Sequence, residues 1–162
     1  MKYILLSVLA SIFSFSNIVA QTYDQDGDHD HHAHHKNELG IANSPVYFVN
    51  EEEFAYGLHI HLVRNIGDSK FGLGFGYERI FDDHKHSTYG IVATYRPIER
   101  LSINASPGLT FEADESNALF AFHFESSYEY VLSDFHIGPV FELAYDPEDI
   151  HVSLGLHVGY GF

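Results

Sequence analysis

Thirteen histidines in a chain of 162 residues are the first chemical feature of this sequence, and they fall into groups. His29, His31, His32, His34 and His35 lie in the segment QTYDQDGDHDHHAHHKNE, among Asp24, Asp26, Asp28 and Asp30. Imidazole suits Zn, Cu and Ni, and carboxylate widens the range. A flexible His/Asp segment can wrap an ion without a prebuilt site. His29, His31, His32, His34 and His35, with Asp28 and Asp30, are therefore candidate metal ligands. The competing reading is a solvated linker.

A second group is spread along the chain and gathered by periodicity. His59, His61, His123, His136, His151 and His157 fall on the polar face of an alternating pattern. Glu78, Glu112, Glu125, Glu129 and Glu142 share that face, with Arg96 as its clearest cation. If that face lines a narrow interior, these groups must pair, hydrate or bind metal, because isolated buried charges are too costly. The candidate set is His59, His61, His123, Glu125, Glu129, His136, Glu142, His151 and His157. It reads either as a metal site or as a hydrogen-bonded packing network. A third group, His84 and His86 beside Asp82 and Asp83, offers two rings on one face, and a closed site needs more ligands.

Other chemistries find little support. There is no cysteine, hence no disulfide framework, thiolate ligand or thiol nucleophile. No G-x-S-x-G, H-E-x-x-H or phosphate-cradling loop occurs, so no enzymatic activity is expected. The formal net charge of −15 argues against a nucleic-acid partner, since phosphate binding relies on Lys and Arg.

The elements that position these groups follow from local patterning. Residues 1–20 read as a signal peptide, with Lys2 as the charged region, an apolar run and Ala20 before the expected cleavage site. Residues 21–38 are polar and lack a buried-face pattern, so a disordered tail is expected. From Leu39 onward the period is two, which is the strand signal. Eight strands are expected, at 39–49, 53–63, 70–80, 87–96, 100–111, 117–132, 135–145 and 150–162, joined by short polar turns. Most are long enough to cross a bilayer at a tilt.

Alternation also assigns the faces. Phe54, Tyr56, Leu58, Ile60 and Leu62 share one side, as do Ile150, Val152, Leu154, Leu156, Val158, Tyr160 and Phe162. The opposite side is rich in small residues, such as Gly72, Gly74 and Gly76. A solvated sheet face would carry Thr, Lys and Glu, whereas a narrow lumen needs small side chains. The fold expected is an all-β, eight-stranded antiparallel up-and-down transmembrane barrel over residues 39–162, with apolar residues toward lipid.

The terminal HVSLGLHVGYGF resembles the C-terminal signal of small outer-membrane β-barrel proteins of Gram-negative bacteria, with Phe162, Tyr160, Val158, Leu156 and Leu154 at the matching positions. The resemblance implies the outer membrane as location, its lipid as surroundings and the barrel-assembly machinery as a partner during biogenesis. With a periplasmic N-terminus, four acidic loops face outward: Asn50 to Glu53, Asp82 to His86, Ala113 to Ser116 and Asp146 to Asp149. Hairpin register places Glu125 opposite Glu142, and His157 and Glu129 both opposite Gly138. The functional expectation is binding or buffering of a divalent transition metal (Zn, Cu or Ni) through the tail, with the lumen as a second site. The tail would present ions to a metal-transport partner. The alternative is a structural envelope barrel with a packed polar lumen and no ligand.

Overall fold

Strict alternation of large apolar and small or polar residues lets every strand present one oily and one polar face, and the chain uses this to close a sheet upon itself. The computed structural model describes residues 35–113 and 117–162. The expected signal peptide, the tail residues before His35 and the loop residues Asp114, Glu115 and Ser116 lie outside the described residues.

Nine strand segments follow in order: β1 Asn37–Phe48, β2 Glu53–Asn65, β3 Phe71–Phe81, β4 Ser87–Ile98, β5 Leu101–Phe111, β6 Leu119–Tyr128, β7 Tyr130–Leu132, β8 Phe135–Tyr145 and β9 Ile150–Gly161. All pairings are antiparallel between sequence neighbours, and β9 pairs with β1 to close the ring. The segments β6 and β7 both pair with β8 and form one crossing interrupted at Glu129. The result is an eight-stranded antiparallel barrel. Closure removes the edge strands that an open sheet would expose.

The sequence reading differs from the structure at three places. β1 begins at Asn37 rather than Leu39, so Asn37 and Glu38, expected in the tail, belong to the barrel wall. The sixth crossing, expected as one strand, breaks at Glu129, where Gly138 lies so close that an added Cβ would stand 1.8 Å from the Tyr128 carbonyl oxygen. The end of β4 shifts register between Tyr95 and Ile98, around Pro97, which has no N–H to give to the ladder. Asn43, Ser44 and Pro45, residues depleted in strands or weak in strand preference, nevertheless lie within β1. Pairing with β9 lapses at Ser44 and Pro45 and resumes at Val46.

The faces are inverted relative to a soluble protein. Phe54 is 77% exposed and Phe75 72%, while Glu125 and His157 are each 1% exposed. Large apolar side chains ring the outside, where lipid supplies the apolar medium that water would not. Aromatic pairs bridge neighbouring strands on this outer surface, including Tyr47 with Phe54 and Phe135 with Tyr160, both at 4.8 Å between centroids. One apolar cluster lies inside. Val46, Phe48 and Ile80, with Ala55 against them, fill the lumen at the end opposite the chain termini. Among the described residues no helix is long and apolar enough to cross a membrane, and the membrane-facing element is the barrel surface itself.

Candidate metal centre

Imidazole rings are large for the interior of an eight-stranded barrel, which side chains just fill. Glycines on facing strands make room for them. A Cβ at Gly159 would lie 1.8 Å from His136 Nε2, and one at Gly40 would lie 2.1 Å from His61 Nε2 and 2.6 Å from His157 Nε2. The small lumenal residues of the sequence are thus seats for particular rings. All nine expected lumenal ligands, His59, His61, His123, Glu125, Glu129, His136, Glu142, His151 and His157, are buried inside the barrel.

The register expected from the hairpins is present. Glu125 is the partner of Glu142, His157 is the partner of Gly138, and Glu129 abuts Gly138 across the strand break. Contacts across the lumen add what neighbouring strands alone do not determine. They sort the side chains into three groups, in each of which one ligand atom per residue lies within 4.8 Å of the others.

Nearest the chain termini are Glu38, His136 and His157. Glu38 Oε1 is 3.7 Å from both His61 Nε2 and His136 Nε2, and Arg96 donates to Glu38 Oε2 at 2.6 Å. Glu129 stands beside this group, 3.7 Å from His136 and 3.8 Å from His157. The middle group is His59, His61 and Glu125. Here His59 Nδ1–H donates to Glu125 Oε2 at 3.1 Å, and Asn104 Nδ2–H donates to Glu125 Oε1 at 2.8 Å. The third group is Glu78, His123, Glu142 and His151. His123 Nδ1 is 2.7 Å from Glu142 and 3.4 Å from Glu78, and His151 Nε2 is 3.9 Å from Glu78. Donors bound to one tetrahedral zinc ion stand about 3.3 Å apart, so this last set needs only small adjustments to hold one.

Some of these groups are satisfied and others are not. Both ring nitrogens of His151 and of His157 lack a hydrogen-bond partner, as do His61 Nδ1, His136 Nε2 and Glu78 Oε2. Leaving a buried donor or acceptor unpaired costs about 1–3 kcal/mol, so such atoms point to a missing partner such as an ion or water. Among the described residues the basic side chains beside Glu78, Glu125, Glu129 and Glu142 are histidines, while Arg96 joins His61 and His136 at Glu38.

The outer-loop histidines form a separate set at the end opposite the termini. His86 is buried, its Nδ1 against Asp82 and its Nε2 3.4 Å from Glu112. His84 is exposed, 3.9 Å from Glu112 and 4.0 Å from Glu51. The acidic loop at Asp146 to Asp149 is engaged in its own turn: Asp149 accepts from the Asn50 backbone at 2.8 Å, and Asp146 from those of Glu148 and Asp149 at 2.9 Å.

Of the tail ligands, His35 is described, and its Nε2 is 3.5 Å from Asp134 beside the end of the barrel. His29, His31, His32, His34, Asp28 and Asp30 lie outside the described residues. Two lumenal carboxylates stood outside the expected ligand set: Glu78, placed on the polar face but not among the ligands, and Glu38, not placed there at all. Alternation back from Gly40 and Ala42 was the signal for Glu38, masked by the charged residues before it.

No family model and no curated protein matches the chain. Solved structures do match in fold. Neisserial surface protein A superposes with a TM-score of 0.57 at 12% identity, over 78% of this chain and 96% of that one. Ail, the attachment invasion locus protein of Yersinia pestis, gives 0.54 at 12% identity, over 79% and 99%. A de novo designed transmembrane β-barrel gives 0.55 at 12% identity, over 78% and 96%. With these proteins the chain shares the closed, eight-stranded membrane barrel.

Proposed function

We propose that this protein is an outer-membrane barrel that binds a divalent transition metal, Zn, Cu or Ni, in its His/Glu lumen, in connection with metal transport. The barrel fold and its apolar outer belt support the location. The observation that carries the metal reading is the third lumenal group. It has two imidazoles and two carboxylates within 4.8 Å, among them a histidine with neither ring nitrogen hydrogen-bonded. Mixed nitrogen and oxygen donors suit Zn, Cu and Ni. The His/Asp tail would add capacity on the side of the termini and hand ions to a transport partner.

A second reading, a packed polar lumen with no ligand, draws on the hydrogen bonds His59–Glu125, Asn104–Glu125 and His123–Glu142. It leaves His151 and His157 unexplained.

Calorimetric titration of the refolded chain with ZnCl2, with and without residues 21–34, separates the possibilities. Binding below about 100 μM that survives removal of the tail is the expected result. Binding lost with the tail would move the site out of the lumen, and no binding in either form would remove the metal reading altogether.

A further inference from the structure

The lumenal rings form a series running along the barrel. His136 and His157 are 5.3 Å apart between centroids, His157 stacks on His61 at 5.3 Å, and His61 meets His59 at 5.6 Å. His59 then approaches His123 at 6.4 Å, and His123 approaches His151 at 5.6 Å. The order matches the strand register. Glu38 and His136 begin their strands at the termini end, and His151 begins β9 at the other.

Neighbouring groups in this series touch. His61 belongs to the middle group and also stands 3.7 Å from Glu38 of the first. Glu125 of the middle group is the register partner of Glu142 of the third. An ion can therefore exchange ligands stepwise along the series without being stripped bare in a medium of low dielectric, where a lone charge is prohibitive.

The series has one apolar interruption. Phe48 lies between His151, at 5.4 Å, and His86, at 5.5 Å. It is 2% exposed and packs in the lumen with Val46 and Ile80. Beside it, at the barrel rim, opens a pocket of about 290 Å³ whose acidic side is Glu51, Glu53, Asp82 and Asp83 with His84, and whose apolar side is Phe48, Phe54, Ala55 and Phe81. The carboxylates there attract cations, and His84 and His86 add nitrogen donors. At the far end Arg96 holds Glu38 Oε2 and leaves Oε1 facing His61 and His136 at 3.7 Å.

We propose that the lumen is a transit path for divalent transition-metal ions, entered from the acidic pocket, and that Phe48 is its gate. This rests on the metal-binding function proposed above and extends it from holding an ion to passing one. Phe48 is the last residue of β1, beside the turn at 49–52, so its ring can swing without breaking the ladder. Apolar constrictions of this kind gate other pores by excluding water.

The test uses the full chain in liposomes that enclose a zinc-sensitive dye, with ZnCl2 alone added outside. Slow influx above that of empty liposomes is expected for the native chain. Phe48→Ala should raise the initial rate at least about tenfold. Adding His123→Ala and Glu142→Gln to Phe48→Ala should return it to background, because the ligands that carry the ion are gone. Heat-modifiable gel migration checks folding of each variant. Should Phe48→Ala not fold, Phe48→Leu takes its place with a smaller increase, and His123→Ala/Glu142→Gln in the native background should abolish the basal influx. Folded Phe48→Ala that is no faster than the native chain overturns the proposal. So does a combined variant that passes Zn as fast as Phe48→Ala, which would mean a simple hole. Zn binding by calorimetry without influx would end the transit path and leave the binding function standing, whereas absence of binding would end both.

Discussion

The lumen has two unlike walls. On β4 and β5 the inward residues are short apart from Arg96 at the end of β4: Thr88, Thr94, Ser102, Asn104, Ser106 and Thr110. The remaining strands carry all the lumenal His and Glu side chains, among glycines and a few small or apolar residues. Both walls are the polar face of the same alternating pattern, and both are buried. The short side chains reach only the adjacent strand, as Thr88 does with Thr110 and Thr94 with Asn104, each at 2.7 Å. Imidazoles and glutamates reach across the lumen, from β2 to β6 in His59–Glu125 and from β3 to β6 in Glu78–His123. Side-chain length therefore separates a lining from a set of cross-lumen struts. A lining closes its hydrogen bonds locally. Struts depend on groups from distant strands, and where these do not meet, nitrogens such as those of His157 are left without a hydrogen-bond partner.

The contrast breaks most severely at Glu125, which joins the two walls by accepting from both His59 and Asn104. Glu125→Ala would leave the His59 Nδ1–H and the Asn104 Nδ2–H unpaired in the lumen. Removing one partner of a buried charged pair costs about 3–5 kcal/mol, and that is the destabilisation expected in urea unfolding of the refolded barrel. On the proposed metal function, the middle group would also lose its carboxylate ligand, and Zn binding there with it. Unchanged unfolding would mean the cross-lumen bonds are not structural.

A gentler perturbation acts on one wall alone. In Gly159→Ala the new methyl would occupy the place of the His136 ring, with the Cβ 1.8 Å from Nε2. A side chain can turn away where backbone cannot, so the barrel should fold at a cost of about 1–3 kcal/mol. The readout that separates site from scaffold is stoichiometry: calorimetry should lose the Zn equivalent of the group nearest the termini and keep the others. Full stoichiometry would show that His136 is not a ligand.

These cases also show how far the sequence was legible. Alternation sufficed for the strands and their faces, because one step of slip would turn Phe54 inward and His59 outward. Short hairpins sufficed for Glu125 against Glu142. Cross-lumen meetings were not legible. Whether His123 lies near Glu78 depends on the tilt and stagger with which the sheet closes, and these are properties of the whole ring. Glu38 was hidden for a different reason: an acid beside a charged segment reads as solvated until β9 and Arg96 are seen to cover it. Phe48 was hidden because an aromatic at a strand end fits an interfacial girdle as well as a plug, and only burial tells them apart.

The smallest effect belongs to the short wall, and it tests whether that wall is only lining. Thr94 Oγ1–H donates to Asn104 Oδ1, and Asn104 in turn donates to Glu125. Thr94→Val keeps the shape and removes the first donor. Asn104 keeps its bond to Glu125, so the loss should be near that of one neutral hydrogen bond, about 1 kcal/mol in urea unfolding. Zn stoichiometry should not change, because no ligand atom moves. A change in Zn affinity as large as that from Gly159→Ala would mean the hydroxyl wall tunes the ligands through Asn104, and the two walls would then act as one network rather than as lining and site.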